Sequence, residues 1–474
     1  MPFFAPIPWE AERFYAQPGM AERNLSLDWF PVGTGPFMLS ENDPNRRMVL
    51  SRNPNFHGET YPREGEAGDA EKGLLADAGK ALPLIDRAVF TLEKEDIPKW
   101  NKFLQGYYDA SGISSDNFDQ AVQFSPEGDA DLTPDMKQKA IRLVTAVATS
   151  NRYMGFNMRD PLIGHAGGEA ARKLRQAISI AVDYEEFISI FLNGRGIAAH
   201  GALPPGIFGY RDDFNPVVYA APGTRRSLDE ARRLLAEAGY PSGRSARTGE
   251  PLVLYFDTAA TGPDAKSRLD WLTKQFRKLD IQLVIRATDY NRFQDKVNKG
   301  SHQIYFWGWL ADYPDAENFL FLLYGPNSKS LTNGNGENAS NYRSKEFDRR
   351  FEQMKFEEDG PAKAKLIDEM IRIVQEDAPW TWGYFPTSAA ALHKWVHNGK
   401  PTQIIRNHLQ YLRVDPALRT QKIAEWNRPI WWPVALIALA LVAAVVPAFR
   451  AYKRRERENA ARTLAREAAA GAGQ

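Results

Sequence analysis

The middle of the chain alternates between two hydrophobic spacings, one typical of helices and one of buried strands. Apolar residues three and four positions apart predict one helix over 174–182 and a second over 187–192, which Gly194 ends. Ser227 and Glu230 have the capping-box spacing that opens a third helix. Beyond residue 250, strand and helix patterns alternate at 251–256, 264–279, 281–286, 290–297 and 303–307, followed by helices at 345–357 and 361–376. Strands alternating with helices at these lengths predict an α/β domain with a largely parallel sheet.

The first 150 residues carry a less regular pattern. Short apolar runs predict strands at 37–39, 48–52 and 88–92, and a short helix at 98–104. The segment 58–80 is rich in Gly, Glu and Ala, and it offers little apolar surface to bury. We interpret this segment as a solvated surface insertion rather than an acidic binding tail.

The longest apolar stretch lies near the end of the chain. Residues 430–449 contain no charged side chain, and a helix of that length spans about 30 Å, the hydrocarbon thickness of a bilayer. Trp431 and Trp432 lie at one edge, where indoles favour the membrane interface. Residues 450–474 carry seven cations and three anions, a net charge of +4. The pattern predicts a transmembrane helix with a cytoplasmic basic tail and with residues 1–429 outside; a buried core helix is the alternative.

Composition narrows the class of protein. The 474 residues carry 60 basic against 59 acidic side chains, a net charge of +1, and no cysteine. The lack of cysteine excludes thiol catalysis, cysteine-ligated zinc, iron–sulfur clusters and disulfides. A charge near zero argues against nucleic acid as the main partner. The first ten residues have neither the basic nor the apolar region of a signal peptide, so we expect either a start that is truncated or a span that acts as a late signal-anchor.

Enzyme motifs are weak in this sequence. His393 and His397 stand four residues apart, but no glutamate follows the first, so the zinc-protease pattern is not met. We therefore predict no metal site and no cofactor. Asp312 and Asp315 could form a carboxylate pair for acid–base chemistry, which leaves a hydrolase as an alternative function.

One segment combines aromatic and acidic side chains around a glycine. It follows a predicted strand ending at Trp307 and contains Gly308, Trp309, Asp312, Tyr313 and Asp315. Ligands of open α/β sheets bind outside the carboxyl ends of strands, where we expect this loop. Aromatic walls with one fixed carboxylate suit a ligand that has an apolar body and an ammonium group. A core-facing aromatic cluster, with Asp312 capping a turn, is the alternative.

Short motifs occur in a fixed order between residues 28 and 415. They are Gly33–Phe37, Arg52–Pro54, Tyr153–Asn157, Leu174–Asp183, Gly201–Gly206, Ala231–Pro241, Gly308–Asp315 and Asn341–Asp348. In their order and spacing they resemble the extracellular solute-binding proteins of family 5, the peptide and nickel receptors of ABC importers. The similarity is to the dipeptide- and oligopeptide-binding class of that family.

The resemblance implies an α/β, two-lobed, periplasmic-binding-protein-like fold (type II, cluster C-like) with a C-terminal transmembrane helix. The lobes of such receptors close on the ligand about a hinge. The implied organisation is lobe I in 1–152 with an insertion at 58–80, lobe II in 153–384, a return to lobe I in 385–415, and a linker over 416–429. Members of the family begin with further residues of lobe I, so we expect this chain to start after them.

The resemblance also implies a substrate-binding set. Asp312 matches the aspartate of the Gly-Trp-x-x-Asp motif, which receives the α-ammonium of the peptide in the family. Trp309 then forms part of the ligand wall. Gly308, Tyr313 and Asn157 complete the predicted set, with no catalytic residue.

The function implied is that of a receptor without catalysis. We expect it to capture peptides or similar small solutes by hinge closure and to deliver them to ABC permease subunits in the cytoplasmic membrane. The main domain is expected on the periplasmic or extracellular side, with the C-terminus in the cytoplasm and no nucleic acid as partner. No basic residue lies between positions 303 and 329, so no partner for a peptide's carboxylate is predicted. Besides a hydrolase, a signalling or assembly protein on the same fold is the alternative.

Overall fold

The computed structural model describes residues 7–124, 130–260, 262–400 and 408–471. The ends of the chain and residues 401–407 of the predicted return to lobe I therefore lie outside the described residues. The strands are β1 Phe37–Asp43, β2 Arg47–Arg52, β3 Arg87–Thr91, β4 Ala110–Gly112, β5 Val122–Phe124, β6 Ala130–Leu132, β7 Arg142–Val147, β8 Ser150–Phe156, β9 Gly196–Ala198, β10 Tyr219–Ala221, β11 Thr224–Arg225, β12 Val253–Thr258, β13 Gln282–Ala287, β14 Ile304–Leu310, β15 Trp380–Leu392, β16 Val396–His397 and β17 Arg413–Val414.

Besides short 3-10 helices, the described residues form fourteen α-helices. They are α1 Trp9–Tyr15, α2 Asp96–Leu104, α3 Phe118–Ala121, α4 Pro134–Gln138, α5 Gly168–Ala181, α6 Tyr184–Leu192, α7 Leu228–Glu237, α8 Pro263–Arg277, α9 Tyr290–Asn298, α10 Glu317–Leu320, α11 Lys345–Met354, α12 Pro361–Asp377, α13 Pro416–Trp426 and α14 Trp431–Gly471.

The chain divides into two compact units. The first comprises the residues up to Phe103 and those from Tyr108 to Asp415, and it contains the sheets and the hydrophobic core. The second comprises Leu104–Tyr107 and the residues from Pro416 onward. Within the described residues, the helical stretch Pro416–Arg466 is long and apolar enough to cross a membrane, and its most apolar window is fully exposed.

The predicted helices and strands are confirmed in type, and their bounds shift by a few residues. The capping box of α7 is formed, since Ser227 Oγ accepts from the Glu230 backbone N at 3.2 Å and Glu230 accepts from Ser227 N at 2.9 Å. Helix α6 ends at Asn193, which adopts the left-handed conformation at φ 50°, one residue before the predicted stop at Gly194. Asparagine tolerates this conformation better than most residues, so either position can end the helix.

The main sheet is mixed rather than largely parallel. Its strand order is β13-β12-β14-β8-β15-β4, and β7 and β9 also pair with β15. Among the described strands of this sheet, the parallel pairs are β12 with β13 and β12 with β14. Strands β8 and β15 are antiparallel to all their neighbours. The prediction of a largely parallel sheet is therefore wrong: the βαβ spacing describes β12 to β14, whereas β8 and β15 join from distant parts of the chain.

Two long strands run through the predicted boundaries between the lobes. Strand β8 contains the boundary at 152/153, and β15 contains the boundary at 384/385. Strand β15 pairs with β8 in its first part and with β7 and β4 in its last part. The lobe boundaries at 152/153 and 384/385 stay a prediction.

The segment 58–80 is not simply a solvated loop. Asp77 is only 1 % exposed and accepts hydrogen bonds from Lys80 Nζ at 2.6 Å, Arg413 Nε at 2.8 Å and Asn398 Nδ2 at 2.8 Å. Burial alone would raise the pKa of Asp77, but these three hydrogen bonds hold it well below its ordinary value. The buried carboxylate of Asp77 therefore connects the segment to Asn398 and Arg413, which the apolar pattern does not reveal.

We expect Asp77→Asn to lower the free energy of unfolding by about 2–3 kcal/mol at neutral pH, because two cations lose their shared anion. Thermal unfolding measures this loss. Asp86→Asn is the matched control: its carboxylate is 89 % exposed beside Arg52, so a change below about 0.5 kcal/mol is expected. Because folding depresses the pKa of Asp77, its contribution is present above about pH 4 and is lost as the pH falls further. A difference between wild type and Asp77→Asn that persists undiminished at pH 2 contradicts this account.

Candidate functional site

Strand β14 carries the first two residues of the predicted site. It continues through Gly308 and Trp309 to Leu310, whereas the sequence pattern predicted a loop after Trp307. The strand is longer because it pairs with β8 along its whole length, with Gly308 opposite Arg152. The loop begins after Leu310, so Asp312 and Tyr313 follow the carboxyl end of the strand.

Two buried asparagines hold Trp309 and Asp312 in place. The Oδ1 of Asn318, a residue 1 % exposed, accepts from the indole Nε1 of Trp309 at 3.2 Å and from the backbone N of Asp312 at 2.7 Å. The backbone N of Trp309 donates to Asn151 Oδ1 at 3.0 Å, and its ring packs edge-on against Phe321 at 5.2 Å. Sequence reasoning missed both asparagines, although Asn318 stands out as a polar residue beside an apolar run.

Asp315 lies near this group but is engaged elsewhere. It accepts from the backbone N of Glu317 at 2.8 Å, at the start of α10, and from Lys363 Nζ at 2.8 Å. Burial lowers the pKa of Lys363, but its hydrogen bonds to Asp315 and Asp359 outweigh burial and raise it. We interpret Asp315 as a capping carboxylate in a partly buried ion pair, which does not suit the second member of a catalytic pair with Asp312.

Tyr313 and Asn157 occupy different environments. The hydroxyl of half-buried Tyr313 donates to Glu317, and burial together with this bond raises the pKa of Tyr313, so the phenol stays neutral. Asn157 does not join the group around Trp309. Its Nδ2 donates to the carbonyls of Gly300 and His302 at 3.0 and 2.8 Å, and its Oδ1 accepts from Asn341 at 3.0 Å. Asn157 is thus buried and supports the loop before β14, and its place in the substrate-binding set stays a prediction.

A basic residue lies beside Gly308 on the neighbouring strand. Arg152 is half-buried on β8, and its Nη1 donates to the carbonyl of Asn151 at 2.8 Å. A Cβ placed on Gly308 would lie 2.6 Å from that Nη1, so the missing side chain of the glycine makes room for the guanidinium. The segment 303–328 contains no basic residue, whereas strand pairing brings Arg152 beside it from about 150 positions earlier in the chain.

The chain matches the family described as "Bacterial extracellular solute-binding proteins, family 5 Middle" over residues 3–330, more than half of its length. This chain is thus a solute-binding protein of family 5. The family match confirms the resemblance that the ordered motifs indicated.

Individual relatives are distant. The chain is 22 % identical to the dipeptide-binding protein of Escherichia coli (strain K12), over 74 % of this chain and 56 % of the relative. It is 23 % identical to haem-binding protein A of Haemophilus influenzae, over 75 % of this chain and 54 % of the relative. The chain thus spans a little over half the length of these curated relatives.

A solved structure supports the fold. The ABC transporter-associated periplasmic binding protein DppA from Helicobacter pylori, in complex with the peptide STSA, matches with a TM-score of 0.66 at 19 % identity. The match covers 86 % of this chain and 67 % of that chain. This similarity supports a two-lobed, periplasmic-binding-protein-like fold of mixed α and β structure. The relatives named above are binding proteins rather than enzymes.

Proposed function

We propose that this chain is the substrate-binding receptor of an ABC importer and that its ligands are peptides. The observation that carries the proposal is the placement of Asp312 and Trp309 by Asn318 at the carboxyl end of β14, in a chain of family 5. Relatives described as dipeptide-binding support the choice of peptides over other solutes.

In the proposed mode of binding, the carboxylate of Asp312 receives the α-ammonium of the peptide. A fixed carboxylate beside an indole suits an α-ammonium group. The positive ammonium pairs with the carboxylate of Asp312, and the carbon atoms of the peptide next to the ammonium pack on the ring of Trp309. Trp309 is held by hydrogen bonds from both its backbone and its indole, so it offers a wall that is already oriented before the ligand arrives. Closure of the lobes about β8 and β15 then buries the peptide, and the closed form is the one presented to the permease.

The test is direct binding by the full chain in detergent. Native mass spectrometry with an equimolar mixture of di- to hexapeptides is expected to show complexes with intact peptides, and haem added to the same mixture is expected to remain unbound. Recovery of shortened peptides indicates a hydrolase instead. Retention of haem with no peptide indicates that the cargo resembles that of the haem-binding relative.

The proposal includes a membrane anchor formed by the first half of α14, with the basic tail in the cytoplasm. Because the chain has no cysteine, single-cysteine variants report topology cleanly. In spheroplasts, a membrane-impermeant maleimide is expected to label Ala246→Cys, which lies on the exposed surface, and to label Ala460→Cys only after the membrane is permeabilised. The reverse pattern, or equal labelling of both, contradicts the proposed orientation.

A further inference from the structure

A cavity of about 370 Å³ lies between helix α12 and the loop that follows β9, and it shares no lining residue with the site around Trp309. Its volume is within the range of about 300–1,000 Å³ that is typical of sites for small ligands. The loop is fixed to the helix, because Gln375 Nε2 donates to the carbonyl of His200 at 2.7 Å and Arg211 Nη1 donates to Asp368 at 2.6 Å. Two elements that are bonded to each other therefore bound the cavity.

Apolar and aromatic side chains form the walls of this cavity. They are Leu203, Tyr210, Phe214, Ile371 and Phe385. Leu203 and Phe385 are buried, and the other three are half-buried. The ring of Tyr210 packs edge-on against Phe385, with 6.1 Å between the ring centroids. Walls of this composition suit the apolar body of a ligand.

Two polar groups of the lining have no hydrogen-bond partner among the described residues. They are the buried Nδ1 of His200 and the hydroxyl of Tyr210. Burial lowers the pKa of His200, so its imidazole is neutral at pH 7 and adds no charge to the cavity. Because buried polar groups are normally hydrogen-bonded, this lining favours a ligand that carries polar atoms over a purely apolar one.

The charged side chains of the lining form an anionic side and a cationic side. Asp368 and Asp213 both approach Arg211, at 2.6 and 3.9 Å, so these three residues carry a net charge of −1. Arg372 follows Asp368 by one helical turn, is exposed, and has no ion pair in the part of the chain that the structure describes. A ligand with one ammonium and one carboxylate matches both sides.

We propose that this cavity binds a free amino acid with a large apolar side chain. Arg372 pairs with the carboxylate, Asp213 pairs with the ammonium, and the apolar side chain packs on Phe214 and Phe385. A ligand with only a negative charge leaves the anionic side unmatched, and a ligand with only a positive charge leaves Arg372 unmatched. This inference goes beyond the proposed function and does not depend on it, because the peptide is proposed to bind elsewhere.

The test is isothermal titration calorimetry of the full chain in detergent, with phenylalanine as the titrant. Saturating trialanine in the cell is expected to leave the affinity for phenylalanine unchanged, since the two sites share no residue. Hydrocinnamate lacks the ammonium of phenylalanine, and phenethylamine lacks the carboxylate. Each is expected to bind about 5-fold more weakly than phenylalanine, because it loses one charge pair at an exposed edge of the cavity.

Substitutions of the two charges are expected to act on different probes. Arg372→Gln is expected to weaken phenylalanine about 5-fold and to leave phenethylamine unchanged, because that probe has no carboxylate. Asp213→Asn is expected to weaken phenylalanine by the same factor and to leave hydrocinnamate unchanged. Arg292→Gln is the matched control, since Arg292 is an exposed cation on α9 paired with Asp289, and its loss is expected to change no affinity.

The possible results separate this inference from the proposed function. Competition between trialanine and phenylalanine overturns the inference, because the amino acid then occupies the peptide site, and the receptor is left intact. Binding of trialanine without any binding of phenylalanine has the same meaning. Equal losses for all three probes in Arg372→Gln assign Arg372 a structural role and also overturn it. If phenylalanine binds as expected and no peptide binds, the proposed function fails and this inference stands.

Discussion

Asp312→Asn is expected to weaken binding of a peptide with a free amino terminus by at least about 30-fold, about 2 kcal/mol. Asparagine keeps the shape of the side chain but removes the negative charge, so the ammonium loses its partner in a half-buried environment. The backbone of residue 312 stays attached to Asn318, because that hydrogen bond uses the main-chain N. The measurement is isothermal titration calorimetry of trialanine binding by the full chain.

N-acetyl-trialanine separates a charge effect from a general loss of the site. Wild type is expected to bind it poorly, since acetylation removes the ammonium, and Asp312→Asn is expected to treat the free and acetylated peptides alike. Asp295→Asn is the matched control: Asp295 is an exposed carboxylate on α9 beside Lys299, and its substitution is expected to change neither affinity. If Asp312→Asn still prefers the free amine as strongly as wild type, another group binds the ammonium, although the chain can remain a peptide receptor.

The second large effect is expected for Gly308→Ala, which should lower the free energy of unfolding by about 2–4 kcal/mol. A Cβ at this position would lie 2.3 Å from the carbonyl oxygen of Asn151, far inside van der Waals contact. The side chain of Arg152 can move away, but the carbonyl belongs to β8 within the sheet, so the two strands must separate locally. Chemical denaturation with a two-state fit measures the loss, and trialanine affinity is expected to fall with it.

Gly112→Ala provides the control for a glycine-to-alanine change in a strand. Gly112 lies on β4 in extended backbone, and a Cβ there meets no atom within 4 Å. This variant is expected to be as stable as wild type or slightly more stable, because alanine restricts the unfolded chain. Equal stabilities of Gly308→Ala and Gly112→Ala would show that β14 and β8 tolerate a wider spacing, and the close approach would then not define the site.

The candidate site shows what a sequence motif reveals and what only the contacts in the fold reveal. Trp309 and Asp312 stand out because a short aromatic and acidic motif follows a strand, and the structure places both on the same support, Asn318. Asn157 also belongs to one of the short motifs. Its side-chain amide is hydrogen-bonded to Gly300, His302 and Asn341, and its position in the sequence does not reveal these contacts. A motif thus identifies a segment, and the hydrogen bonds of the folded chain show how each of its residues is held.

The sequence by itself determined the features that depend on near neighbours along the chain. The capping box of α7, the helical faces of α5 and α6, the βαβ run from β12 to β14 and the apolar stretch at 430–449 all follow from spacing over a few residues. The order of the short motifs likewise indicated the family, because members of one family share both their fold and the order of its segments along the chain.

Only the tertiary structure decided which distant segments meet. Strand β8 lies between β14 and β15, and this antiparallel pairing makes the sheet mixed, lengthens β14 through Trp309 and places Arg152 beside Gly308. Asp77 meets Arg413 in the same way, across more than three hundred residues. Such contacts are selected by the packing of the whole core and by the pairing of backbone groups between strands. A local pattern carries no record of the partner, so contacts between distant segments become visible only in the folded chain.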